Sequence, residues 1–175
     1  MMSGMAFTDE LVENNNAYAH QFEHGDLGAA PTKALAVVMC MDARLRAFGF
    51  LGLQEGDAHI IRNAGGAVTD DVIRSLIISQ RLLGTREIAL VHHTDCGMAK
   101  FSDEEMKAVL QEETGIRPPF AFETFGDVDA DVRQSMARIR ATPFIPHKEV
   151  VRGYVYDVHT GTLREVLPEV VSADR

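Results

Sequence analysis

Tryptophan is absent, aromatic residues make up 7% of the chain, and only two cysteines, Cys40 and Cys96, occur in 175 residues. A secreted scaffold held by disulfides carries more sulfur than that. In a reducing compartment the pair is left with metal binding, catalysis or core filling. Long apolar runs are missing as well. No stretch of about 18 apolar residues offers a membrane span, and the opening MMSGMAFTDE lacks the basic-then-apolar order of a signal peptide. Basic residues are outnumbered, 17 Lys and Arg against 26 Asp and Glu, so the formal net charge is −9. That balance argues against a nucleic-acid partner or an anionic membrane surface. Internal repeats and low-complexity tracts are also absent. The expectation is a cytoplasmic protein with no nucleic-acid and no membrane partner.

What is present is ordinary for a globular chain: 46% apolar and 25% charged residues. The length suits one domain, expected to span 1–175. Residues 1–30 read as an N-terminal helical arm and linker. Phe7, Leu11, Tyr18 and Phe22 fall on one helical stripe, and the Gly- and Ala-rich stretch 25–31 reads as connector. Such a stripe needs a surface, either on its own domain or on a second subunit.

From residue 31 a strand-then-helix grammar repeats. ALAVVM at 34–39 is a continuous apolar run of strand length, the mark of a strand buried on both faces. A helix is expected over 42–53, a strand over 58–62, and a helix over 69–83 with Thr69 as cap, acidic Asp70 and Asp71 at its positive end and Gly84 at its close. EIALV at 87–91 reads as a third strand. Helices are expected over 103–113 and 127–141, with a long loop over 114–126. The segments 150–158 and 162–167 flank a turn and read as a hairpin. This order predicts an α/β fold: a mainly parallel central sheet flanked by helices, with a C-terminal antiparallel edge hairpin and the N-terminal helical arm.

Ligands of such sheets bind beyond the carboxyl ends of the strands, and both cysteines fall there. Cys40 directly follows ALAVVM. Cys96 closes an H-x-x-C element, His93-Thr94-Asp95-Cys96, shortly after EIALV. A turn of that length lets an imidazole and a thiolate converge on one ion, with Cys40 as third ligand. Zinc (Zn2+) suits two thiolates and one imidazole, and three protein ligands leave one position open, the pattern of catalytic sites. Either cysteine alone reads as a small buried apolar side chain; the two together, with a histidine three residues upstream of one, read as a metal site. His92 points away from His93 and reads as a hydrogen-bonded supporting or core histidine.

Cys40-Met41-Asp42-Ala43-Arg44 adds a carboxylate and a guanidinium beside the first ligand, a pair suited to bidentate bonding. Asp42 either orients a hydroxide or binds zinc itself and fills the open position. Without the cysteines, Asp42 and Arg44 would be an ordinary ion pair at a helix start.

CMDAR at 40–44, RNAGG at 62–66 and HHTDCG at 92–97 together resemble the β-class carbonic anhydrases, in order and placement from about Leu35 to Gly97. The resemblance is to a compact bacterial subgroup. It implies zinc on Cys40, His93 and Cys96, with Asp42 and Arg44 as the catalytic dyad and Asp42 as an alternative metal ligand. It implies that the Gly97 amide is available to a substrate oxygen, with Gly97 permitting close backbone approach, and that Asn63, Ala64 and Gly65 form a loop near the cleft. It further implies a homodimer or larger assembly with the N-terminal helix across the partner subunit. The implied reaction is reversible hydration of CO2 to bicarbonate and a proton, with His92, His59 or buffer as shuttle. Two other readings use the same residues. One is hydrolysis of a sulfur analogue, carbonyl sulfide or carbon disulfide, with Phe120, Phe122 and Phe125 shaping the pocket. The other is a non-catalytic zinc or redox-sensing module, which has no need of the Asp42–Arg44 pair.

Overall fold

In the computed structural model, which describes residues 6–168, the apolar run becomes β1 (Leu35–Cys40). It is hydrogen-bonded on both sides, to β2 (Ala58–Asn63) and β3 (Glu87–His93), parallel in each case. β4 (Val150–Tyr156) extends the sheet in parallel from β3, and β5 (Leu163–Val166) closes that edge antiparallel. The order is β2-β1-β3-β4-β5. The chain therefore starts in mid-sheet, steps to one side for β2, and crosses back over β1 to lay down β3. This reversal opens a crevice at the carboxyl ends of β1 and β3, where ligands of doubly wound sheets bind.

β1 is apolar throughout because both of its faces are covered. Ala36 and Val38 join Ile88 and Leu90 beneath α3 (Asp70–Arg81) and α5 (Val128–Ala141), with Val72, Leu76, Val132, Met136 and Ile139 as the helices' buried positions. On the other face Val37, Met39 and Val91 pack with Leu45, Leu53 and Ala47, the first residue of α2 (Ala47–Leu51). α3 starts at the Thr69 cap, whose hydroxyl accepts from the Val72 N–H at 3.4 Å. α4 (Asp103–Thr114) opens on a reciprocal cap between Ser102 and Glu105, and none of its residues is buried. Residues 115–126 are the expected long loop.

Two elements differ from expectation near the crevice. The helix expected over 42–53 is confined to α2. The Asp42 carboxylate accepts from the Arg44 backbone N–H at 2.9 Å, a local bond that competes with helix formation. The strand expected to end at Val91 runs on to His93, because His92 and His93 stay in register with Val155 and Tyr156 of β4. Both histidines thus stand on the strand and not in the following turn.

The arm is a 3₁₀ turn (Phe7–Glu10) followed by α1 (Leu11–Ala19). α1 buries none of its residues, and Phe7, Leu11, Tyr18 and Phe22 are all exposed. Its tie to the rest of the chain includes a hydrogen bond from the Tyr18 hydroxyl to Glu55 at 3.1 Å. No helix among the described residues is long and apolar enough to cross a membrane.

α5 lies so close to β4 that a β-carbon at Gly153 would overlap Val132 Cγ1 and stand 3.2 Å from Met136 Sδ. Gly153→Ala is expected to cost about 1–3 kcal/mol by overpacking. A lower urea midpoint at unchanged slope would register it; an unaltered midpoint would mean that the helix has room to move away.

Candidate metal centre and active site

β1 ends at Cys40 and β3 ends at His93. Three residues on, Cys96 precedes a short 3₁₀ turn (Gly97–Ala99). The parallel pairing of β1 with β3 brings these groups together at the crevice. One ligand-type atom from each of Cys40, His93 and Cys96 lies within 4.8 Å of the others, and all three residues are buried. The sulfurs are 4.0 Å apart and both cysteines are free. The His93 Nδ1–H donates to the Thr94 carbonyl at 2.8 Å, which leaves Nε2 as the atom facing the sulfurs. That Nε2 is buried without a hydrogen-bond partner. Burial pushes the His93 imidazolium down, yet the Cys40 sulfur, the Thr94 carbonyl and the Asp42 carboxylate together hold its pKa above the usual value.

The two thiols share their proton unequally. A hydrogen bond from Cys96 lowers the pKa of Cys40 against its burial, helped by His93 and by the backbone N–H groups of Asp42 and Gly65. The same bond, with burial, raises that of Cys96. Gly66 makes this arrangement possible. It has φ +73°, and a β-carbon there would stand 2.9 Å from the Cys40 backbone nitrogen. A β-carbon at Gly97 would meet nothing within 4 Å.

Asp42 and Arg44 occupy the turn after β1. Arg44 binds the carboxylate through two nitrogens, Nε to Oδ1 at 3.0 Å and Nη2 to Oδ2 at 2.7 Å. The guanidinium holds the Asp42 carboxyl well below the usual carboxylate range, so it is ionised at neutral pH. Its Oδ2 is 3.8 Å from His93 Nε2. Arg62, on β2, fastens this turn from below: Nε donates to the Cys40 carbonyl at 3.0 Å and Nη2 to the Asp42 carbonyl at 2.7 Å.

The other residues singled out in the sequence fall in several places. Asn63, Ala64 and Gly65 lie at the end of β2 and in the turn after it; the Asn63 side chain donates to the Ala67 carbonyl at 2.8 Å. His92 faces α5, not the crevice, and its Nε2 bonds Asp131 Oδ2 at 2.8 Å. His59 is bonded to Ser79 Oγ at 2.7 Å. It stands at the far end of β2, paired with Ala36, whereas Asn63 pairs with Cys40; four strand residues put it about 13 Å from the site. Neither histidine therefore reaches the crevice as a shuttle. Of the three loop phenylalanines only Phe125 lines the cleft, a space of about 420 Å³ bounded by His93, Cys96, Ala99, Lys100 and Val128 among others. Phe120 and Phe122 meet edge to face, with ring centroids 5.3 Å apart.

Sequence reasoning attached no role to Arg62, Gly66, Asp95 or Asp103. RNAGG carries two of them, but only the tertiary approach of β2 to Cys40 reveals what they do. Asp103 has no motif around it. Its carboxylate accepts from the Phe122 N–H at 2.8 Å and from the Thr124 hydroxyl at 3.0 Å, and so holds the loop that carries Phe125.

Fold and side chains together define an α/β protein with a metal-capable thiol–imidazole centre at its switch point. Residues 35–118 match the carbonic anhydrase family pattern. The chain is 56% identical to β-carbonic anhydrase 1 of Mycobacterium tuberculosis, over 94% of this chain and 100% of that protein. It is 35% identical to a carbon disulfide hydrolase of Saccharolobus solfataricus, over 91% of this chain and 88% of that one. Among solved structures, a carbonic anhydrase from Streptococcus mutans superposes with a TM-score of 0.88 at 43% identity, covering 93% of this chain and 99% of the other. The chain belongs to the β-class carbonic anhydrases.

The Phe122 N–H holds the Asp103 carboxyl below the usual range against burial, with help from Thr124 and Lys107. Its stabilisation is therefore full above an unfolded pKa near 3.9 and is lost as pH falls through the lower folded value. Asp103→Asn is expected to cost about 1–2 kcal/mol at pH 7, a gap that narrows towards pH 3. Thermal unfolding at the two pH values measures it; an equal gap at both would detach the effect from ionisation.

Proposed function

We propose that this protein is a zinc-dependent carbonic anhydrase that interconverts CO2 and bicarbonate, with Cys40, His93 and Cys96 as its metal ligands and Asp42 and Arg44 as its catalytic dyad. The observation that carries the reading is the buried, unpartnered His93 Nε2 facing two sulfurs 4.0 Å apart. Two thiolates on a tetrahedral zinc, each at about 2.3 Å, are about 3.8 Å apart, so the spacing of the two sulfurs suits the ion. Strong similarity to β-carbonic anhydrase 1 over nearly the whole chain supports the same reaction.

Zinc, when bound, lowers the pKa of a water from 15.7 to about 7 and makes hydroxide available at neutral pH. The protein's part is placement. The Thr94 carbonyl fixes the His93 tautomer, so that Nε2 presents its lone pair. Asp42, kept ionised by Arg44, accepts a hydrogen bond from the attacking hydroxide and aims it at carbon. The cleft walls at Ala99, Phe125 and Val128 offer apolar contact to CO2, and the Gly97 N–H is offered to a substrate oxygen. The proton leaves to buffer, since His59 and His92 face elsewhere.

A second reading rests on the carbon disulfide hydrolase relatives. The same site would act on a linear sulfur analogue, and parallel assays of CO2 hydration and sulfide release separate the two. Thiol ligands suit a reducing compartment such as the cytoplasm. The exposed stripe of Phe7, Leu11, Tyr18 and Phe22 fits a homodimer in which each arm lies on the other subunit, with residues 1–175 forming one catalytic unit.

Cys40→Ser and His93→Ala are each expected to lose zinc and CO2 hydration together. Asp42→Asn is expected to keep zinc and lose about 100-fold or more in kcat. Elemental analysis beside stopped-flow hydration tests this, and full metal with full rate in the ligand variants would refute the assignment. Sedimentation is expected to give a dimer or larger species, and Leu11→Glu with Phe22→Glu to shift it towards monomer. A monomeric parent chain would remove the arm exchange.

A further inference from the structure

The residue between the two ligands of the H-x-x-C element that precedes Cys96 has a geometry that a mere spacer does not need. Asp95 has φ +53°, a left-handed conformation that side chains other than glycine adopt only with cause. In that conformation it turns both its side chain and its main chain to one guanidinium. Arg44 Nη1 donates to Asp95 Oδ2 at 3.1 Å, and Arg44 Nη2 donates to the Asp95 carbonyl at 3.2 Å. The other carboxylate oxygen pairs with Lys100 Nζ at 2.7 Å. A row of alternating charge results: Lys100, Asp95, Arg44, Asp42.

The guanidinium is thus gripped on two edges. Asp42 takes Nε and Nη2, and Asp95 takes Nη1 and shares Nη2. With Asp42 alone, Arg44 and its partner could rotate together as one ion pair about a short turn. The second grip ties that pair to the β3 side of the crevice, the same segment that carries His93 and Cys96. Arg44 and Asp95 are both roughly half exposed. The charge between them is therefore screened and worth little as stability; what the contact supplies is direction.

We propose that Asp95 is a positioning residue for the reaction, acting through Arg44 to hold the Asp42 carboxylate at the angle from which it orients the nucleophile. The proposal rests on the Asp42–Arg44 dyad assigned above. It adds no group to the substrate's surroundings and does not involve Asp95 ionisation.

Asp95→Gly keeps the left-handed backbone without strain and removes the carboxylate. kcat is expected to fall about tenfold, with zinc content and Tm unchanged. Asp95→Asn keeps an oxygen for Nη1 and tolerates the same backbone, so most of the rate is expected to return. Placed on Arg44→Lys, Asp95→Gly is expected to cost less than twofold more, because the route through Arg44 is already cut. Independently of turnover, the 15N order parameter of the Arg44 Nε–H is expected to drop in Asp95→Gly. If the two substitutions multiply and Arg44 stays as rigid as before, Asp95 is not a positioning residue. If Arg44→Lys alone leaves the rate intact, the dyad itself is wrong and the role of Asp95 falls with it.

Discussion

Neighbouring strands of a sheet are separated by about 4.8 Å, and in this chain two that carry donor atoms at their carboxyl ends are neighbours. Cys40 closes β1, His93 closes β3, and their parallel pairing brings both side chains to one rim. Cys96 returns to that rim from the turn beyond β3 because Thr94 anchors the turn: its backbone N–H donates to the Tyr156 carbonyl at 2.9 Å. A parallel pairing shifted by one residue would put His93 on the α5 face and His92 towards the sulfurs. The chemistry therefore depends on strand register, and register depends on the apolar side chains of β1 and β3 that bury both faces of the sheet.

Around this centre the protein spends its polar groups on orientation. The His93 tautomer is set by one carbonyl. Arg62 draws the Cys40 and Asp42 carbonyls down towards β2, and Gly66 lets that backbone pass against Cys40. Asp103 keeps the Phe125 loop at the mouth of the cleft. Apart from the His93–Thr94 bond, these contacts join residues distant in sequence. Of these groups, Arg62 acts directly on the turn after β1. A preorganised site of this kind does not have to reorganise when charge develops in the reaction.

The helix expected over 42–53 shows where local pattern misleads. Its apolar spacing is helical, but the Asp42 side chain takes the Arg44 N–H, and what forms there is one turn, Leu45 N–H to the Asp42 carbonyl at 3.1 Å, ahead of α2. The strand expected to stop at Val91 continues to His93 for a related reason. Two histidines look like turn residues until β4 supplies partners for their backbone. Both departures lie at the site, where local preference yields to function.

The α/β alternation, the buried central strand, the helix cap at Thr69 and the C-x-D-x-R and H-x-x-C elements are all local patterns. They were legible in the order of residues because periodicity, capping and ligand spacing act over a few positions. Which strand lies beside which, the burial of His93 Nε2, the clamp by Arg62 and the second grip on Arg44 by Asp95 were decided only by the folded chain. These are contacts between segments dozens of residues apart. Their free energies depend on distances that no single stretch of sequence specifies.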